Sequence, residues 1–125
     1  MKKILIIDDD STIRDVIKAV LHSNYEIKEA SNKKEGLTIA NSFIPDLIIM
    51  DVMMESITSG FEAAREIKKN KKFKNTKILM LTNVDKETKI DFKSEAGDDM
   101  WLPVDEYMVK PVDPKTLILK VQNLI

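Results

Sequence analysis

The stretch Ile44-Pro45-Asp46-Leu47-Ile48-Ile49-Met50-Asp51-Val52-Met53-Met54 decides how this chain folds. Its apolar run is unbroken from Leu47 to Met50 and stops at one carboxylate, Asp51. A run that short and that apolar predicts a strand buried on both faces, launched after a proline and ending in a loop. Asp51 then stands at a carboxyl-terminal strand end, the edge of an open α/β sheet where ligands bind. An aspartate that merely opens the next loop would occupy the same place, so Asp51 alone leaves both readings open.

Two further runs have the same character. Ile4 to Ile7 ends in Asp8, Asp9 and Asp10, and Ile78 to Leu81 ends in Thr82 and Asn83. Tyr25 to Ala30 alternates instead, which predicts a less buried edge strand, and Tyr107 to Lys110 is a short last strand. Helical spacing fills the gaps. Ile13, Val16, Ile17, Val20 and Leu21 share one face of a helix capped by Asp10 or Ser11 and reaching about His22. His22 has no second ligand near it in sequence and is assigned no role. Ser31 is expected to cap a second helix with Leu37, Ala40 and Phe43 inward, ended by Pro45. Phe61, Ala64 and Ile67 follow Gly60 on a third helix closing in the basic stretch Lys68 to Lys74, read as a solvated helix end and loop. Asp85 opens a fourth helix whose stripe of Ile90, Phe92 and Ala96 is thin, so it is expected to move. After Gly97, residues 98–106 have no clean periodicity, and Trp101 and Leu102 predict an ordered excursion there. Asp113 and Pro114 cap a last helix with Leu117, Ile118, Val121, Leu124 and Ile125 on one face.

Five alternating βα units force a parallel sheet with helices on both faces, a doubly wound α/β fold. Continuous runs mark strands one, three and four as interior, so the strand order is 2-1-3-4-5 with a topological switch point between strands one and three. Asp8, Asp9 and Asp51 should meet across that crevice. The chain is expected to be a single domain, 1–125. Charged residues make up 33% and nearly cancel to a net charge of -1, which predicts neither nucleic acid nor membrane as an obligatory partner. With no cysteine there is no disulfide framework, thiolate catalysis or zinc-thiolate site. The apolar run after Met1 is too short for a signal peptide and nothing approaches transmembrane length, so a cytoplasmic location is expected.

Three crowded carboxylates repel one another, and a hard divalent cation is the natural remedy. Oxygen ligands in a partly exposed crevice suit Mg2+, which keeps waters and shares its remaining positions with a phosphoryl group. Lys110 and Thr82, at the ends of strands five and four, should reach the same crevice and could hold two further phosphoryl oxygens.

The chain resembles the receiver domain of response regulators, a (βα)5 flavodoxin-like fold, over its whole length. The resemblance rests on Ile-Ile-Asp8-Asp9 after strand one, Asp51 after Asp-Leu-Ile-Ile-Met, Thr82 after Ile-Leu-Met-Leu, and Tyr107-Met-Val-Lys110-Pro111. It implies that Asp51 accepts a phosphoryl group from a histidine kinase or phosphotransfer protein. It further implies that Asp9, Asp51 and the backbone carbonyl of Met53 bind Mg2+, with Asp8 helping through water. Lys110 would contact the phosphoryl group, its bond to Pro111 cis. Thr82 and Tyr107 would move together and remodel the face formed by the fourth helix, fifth strand and fifth helix, read by a downstream protein or, on phosphorylation, by a second copy in a dimer. Such a domain phosphorylates and dephosphorylates itself without being a turnover enzyme.

Three departures from the family pattern stand out. Glu55 replaces the usual proline four residues after the acceptor, and Gly60 comes nine residues after it rather than eight. Asn83 replaces a small residue after the threonine. Several extra residues, with Trp101 and Pro103, separate Gly97 from Lys110. Three other readings compete. Asp8-Asp9-Asp10-Ser11-Thr12 also fits haloacid-dehalogenase-like phosphatases, but their late acidic pair follows the lysine, whereas Asp98 and Asp99 precede Lys110. A flavodoxin-like binding module needs a Gly-rich phosphate loop after strand one, and the chain has only three glycines. A degenerate receiver would act as a phosphorylation-independent interaction module.

Overall fold

The computed structural model describes residues 1–52, 59–82 and 104–125. The expected fourth helix from Asp85, Asn83, the Met53 carbonyl and the excursion around Trp101 lie outside the described residues. The elements are β1 (Lys2–Ile7), α1 (Ser11–Leu21), β2 (Tyr25–Ala30), α2 (Lys33–Phe43), β3 (Leu47–Asp51), α3 (Ser59–Lys69), a 3-10 turn (Lys71–Phe73), β4 (Lys77–Thr82), β5 (Glu106–Val109) and a C-terminal helix (Pro114–Leu124). The five strands form one sheet in the order β2-β1-β3-β4-β5, with every pairing parallel.

The apolar runs are continuous because each interior strand feeds two cores. Leu5, Ile7, Ile48, Met50, Ile78 and Met80 face one layer with Ala40 and Phe43 of α2 and Ala64 and Ile67 of α3. Ile4, Ile6, Leu47, Ile49, Leu79 and Leu81 face the other, with Ile17 and Leu21 of α1 and Leu117 and Val121 of the C-terminal helix. Each such side chain contributes about 1.5–3 kcal/mol by leaving water. β2, at the sheet edge, alternates in exposure as its sequence does.

Several boundaries differ from expectation. The cap of α2 is Asn32, whose side chain accepts the Glu35 N–H at 2.8 Å, rather than Ser31. Ser31 instead donates its backbone N–H to Glu35 Oε1 at 3.3 Å, so the helix starts one residue later than expected. α2 ends at Ile44 in the left-handed region, φ 48°, because Pro45 forbids another helical turn after it. Gly60 lies inside α3, and the basic stretch folds into the 3-10 turn capped by Asn70, with Phe73 buried. Ile118 is 37% exposed, at the margin of its helix face rather than in the core.

Three residue pairs lock the amino-terminal ends of the strands. The Thr76 hydroxyl donates to the Pro45 carbonyl at 2.7 Å, at the amino end of β4. Asp105 pairs with Ile78 twice, donating its N–H to the Ile78 carbonyl at 2.9 Å and accepting the Ile78 N–H on Oδ2 at 2.8 Å. Lys68 of α3 also donates to Asp105 Oδ2, at 2.8 Å.

α2 approaches β1 through Gly36. A Cβ there would lie 2.4 Å from Ile7 Cδ1 and 2.8 Å from Ile7 Cγ1, and Ile7 is fully buried and stiff at χ1. Alanine is the better helix former by about 1 kcal/mol, but overpacking a filled core costs about 1–3 kcal/mol. Gly36→Ala is therefore expected to lower stability by about 1 kcal/mol and at most about 2 kcal/mol. A urea midpoint at or above that of the parent would show that Ile7 yields freely.

Candidate functional site

The register places the strand ends side by side. Ile7 stands opposite Met50, Asp51 opposite Leu81, and Thr82 opposite Val109. Asp8, Asp51, Thr82 and Lys110 therefore emerge along one carboxyl-terminal edge of the sheet. Asp8 and Asp51 are buried there, at 0% and 5% exposure, and Asp9 is exposed.

Asp8 is restrained on several sides. Its N–H donates to the Ala30 carbonyl at 3.1 Å, extending the β1–β2 pairing by one residue. Its Oδ1 accepts the Asp10 N–H at 2.9 Å, and Asp10 Oδ1 in turn accepts the Thr12 N–H at 2.9 Å to cap α1. The other oxygen, Asp8 Oδ2, is sealed from solvent and accepts no hydrogen bond of good geometry. It faces the Lys110 ammonium at 3.2 Å, and the same ammonium lies 3.3 Å from Asp51 Oδ2. Lys110 is fixed from behind, its N–H donating to the Thr82 carbonyl at 2.8 Å and its bond to Pro111 cis.

Asp8, Asp9 and Asp51 each offer a carboxylate oxygen within 4.8 Å of the others. At an effective dielectric of about 20, each ionised pair at that separation repels by roughly 3–4 kcal/mol. Burial pushes the Asp8 carboxyl up from 3.8 to about 6; Asp51 adds to the rise, while the Asp10 N–H and Lys110 oppose it. Burial opposes the charge on Lys110, but Asp51 and Asp8 more than offset this and hold its pKa above the ordinary lysine value. The Lys110 ammonium brings a single positive charge to both Asp8 and Asp51. The donor set, all oxygen with one buried atom lacking a hydrogen bond and one carboxylate facing solvent, suits a hard divalent cation.

The structure thus brings together four of the residues singled out from sequence: Asp8, Asp9, Asp51 and Lys110. Thr82 is buried at the end of the neighbouring strand and reaches this group through its backbone carbonyl. Tyr107 is set apart, opposite Met80 on β5, packed on the core layer shared with α2 and α3 and 5.9 Å from the Lys120 ammonium. Two partners of Asp8 were not anticipated. Asp10 does more than cap α1, since its N–H also holds Asp8 Oδ1. Arg14 Nη1 donates to the Asp8 carbonyl at 2.6 Å while its Nε donates to Glu29 Oε1 at 2.8 Å. A bond to a backbone carbonyl leaves no residue pattern by which it could have been found.

The model of the response regulator receiver domain matches residues 4–122. The chain belongs to the response regulator receiver domain family. This receiver domain is 36% identical over 124 residues to the transcriptional regulatory protein ResD of Bacillus subtilis, a match covering 98% of this chain and 48% of ResD. It is 29% identical to PilH of Pseudomonas aeruginosa, covering 100% of this chain and 98% of PilH. It thus spans about half the length of ResD and nearly all of PilH. Among solved structures, chemotaxis response regulator CheY4 of Vibrio cholerae matches with a TM-score of 0.83 and 32% identity, covering 100% of this chain and 99% of that one. TrrA of Thermotoga maritima, solved in complex with Mg2+ and BeF, matches with a TM-score of 0.80 and 37% identity over the whole of both chains. The receiver domain is a signalling module rather than a turnover enzyme of the ordinary kind. Among its described residues no helix is long and apolar enough to cross a membrane.

Proposed function

We propose that this receiver domain is a phosphorylation switch in which Asp51 accepts a phosphoryl group from the histidine of a kinase or phosphotransfer protein. The observation that carries the reading is the Lys110 ammonium set between Asp8 Oδ2 and Asp51 Oδ2 at 3.2 and 3.3 Å, beside an acidic cluster able to hold a metal. An Asp51 carboxylate oxygen forms the new bond to phosphorus as the bond from phosphorus to the donor breaks, and the electron pair leaves with the donor. Lys110 stays protonated and offsets the charge that arrives. The Thr82 hydroxyl is assigned a contact to a phosphoryl oxygen, and Tyr107 the reporting of the new state on the face of β5 and the C-terminal helix. Asp8, Asp9 and Asp51, with the Met53 carbonyl, would hold Mg2+. When bound, the ion neutralises phosphoryl oxygens and so lets one anion approach another. The same acyl phosphate is open to attack by water, which resets the switch. TrrA, similar over its whole length and solved with Mg2+ and BeF, supports this assignment. The downstream protein, or a second copy of the domain, would recognise the altered face.

Intact-mass measurement with acetyl phosphate tests the proposal. One phosphoryl group per chain is expected with Mg2+ and none in EDTA. No mass gain in either condition would favour the phosphorylation-independent module. Catalytic release of phosphate without stoichiometric labelling would favour a phosphatase.

A further inference from the structure

Arg14 stands inside α1, yet its guanidinium reaches back to the strand end that carries the acidic cluster. It is mostly buried, at 15% side-chain exposure, and joins two elements: Nη1 donates to the Asp8 carbonyl and Nε to Glu29 of β2. Glu29 is shared with Lys18, one turn further along α1. The carbonyl in question belongs to the Asp8–Asp9 peptide, and a peptide is planar, so fixing its oxygen fixes the plane of the amide that leads into the Asp9 Cα and limits where that side chain can start from. Asp9 is exposed and lies beyond the end of β1, so the sheet ladder does not orient it. Glu29 faces Arg14 at 2.8 Å and also pairs with Lys18, so it offsets part of the Arg14 charge and holds the guanidinium in place beside the cluster.

We infer that Arg14, steadied by Glu29, is a positioning residue that orients the Asp8–Asp9 peptide and thereby sets the affinity of the acidic cluster for a divalent cation. The inference rests on the metal reading proposed above. Groups that orient metal ligands without touching the ion typically change affinity by about 10–100-fold. Titration calorimetry with Mg2+ alone is therefore expected to show Arg14→Ala binding about tenfold more weakly than the parent. Arg14→Lys, which keeps the charge but only one donor nitrogen, should recover part of the loss. Acetyl phosphate labelling of Arg14→Ala should be slow at low Mg2+ and return to the parent rate at saturation, as for a lost metal affinity with the nucleophile intact.

Thr76→Val serves as the stability control, because it breaks the bond to the Pro45 carbonyl at the opposite edge of the sheet. It should lower the urea midpoint while leaving the Mg2+ titration unchanged. Arg14→Ala binding Mg2+ as tightly as the parent, or more tightly, overturns the inference. So does a Thr76→Val titration displaced as far as that of Arg14→Ala. A parent protein that binds no Mg2+ at all overturns the metal reading itself, a result distinguishable from either.

Discussion

Asp51→Asn is expected to gain no phosphoryl group from acetyl phosphate under conditions that label the parent stoichiometrically. Three carboxylates share the crevice, and their surroundings separate their roles. Asp8 is fully buried, one oxygen held by the Asp10 N–H and the other sealed from solvent facing Lys110, so neither is open to a phosphorus arriving from outside. Asp9 is exposed, and the Lys110 ammonium pairs with Asp8 and Asp51 instead. Asp51 alone ends a strand, retains slight exposure and has that cation 3.3 Å away. An amide in its place has the same shape without the negative charge or the nucleophilic oxygen. Lys110→Ala should still be labelled, more slowly, because the nucleophile survives while a charge-stabilising group worth roughly 10²–10³ in rate is gone. Asp9→Ala should lose its Mg2+ dependence together with most of its rate. Equal labelling of Asp51→Asn and parent would place the acceptor elsewhere and sink the assignment.

In the absence of metal, Asp8→Asn is expected to be more stable than the parent at pH 7. Asp8 contributes a buried, mutually repelled charge, and its carboxyl is raised from 3.8 to about 6 in the fold. A shift of that size corresponds to at most about 3 kcal/mol at neutral pH. About 1–2 kcal/mol is the expected gain, since Lys110 gives up one of its two carboxylates in the variant. The sign follows from linkage. A carboxyl whose pKa is raised on folding does not penalise the fold below its unfolded value and penalises it increasingly as pH rises through the folded one. The advantage of Asp8→Asn in EDTA should therefore be largest at pH 7 and above and shrink as pH falls from 7 towards 4. Saturating Mg2+ should narrow or reverse the difference, because binding stabilises the parent by mass action and the variant less so. Thermal melts across this pH range, with and without Mg2+, provide the measurement. A variant less stable than the parent in EDTA at pH 7 would mean that the Asp8 charge is already satisfied without metal.

Much of this architecture was legible in the chain because the decisive residues obey a simple rule. Ile4 to Ile7, Leu47 to Met50 and Ile78 to Leu81 are all fully buried, and continuous apolar runs arise only where a strand is covered on both faces. Once those three strands are interior, their order follows, and Asp8, Asp51 and Thr82 arrive at one edge by register. What was misplaced depended on finer competition. Ser31 and Asn32 are adjacent residues of similar capping strength, and the outcome turns on which side chain accepts the Glu35 N–H, here that of Asn32. The 3-10 turn was hidden because Phe73 is a lone apolar residue in a cationic run. Ile118 sits where the helix face turns away from the sheet, a boundary that spacing alone does not resolve. Arg14 was invisible as a site residue because its contacts run to a backbone carbonyl and to another strand.

The double pairing of Asp105 with Ile78, reinforced by Lys68, bears on how such a domain can change over evolutionary time. Residue 82 leaves the sheet at the carboxyl end of β4 and residue 104 returns at the other end, so everything between enters β5 through one fixed gate. A slip of one residue in β5 would turn Lys110 to the opposite face and silence the crevice. With the gate holding the register, insertions and deletions between residues 82 and 104 can accumulate without moving Lys110. A lineage could then acquire new partners there while the chemistry stays under separate, unaltered selection.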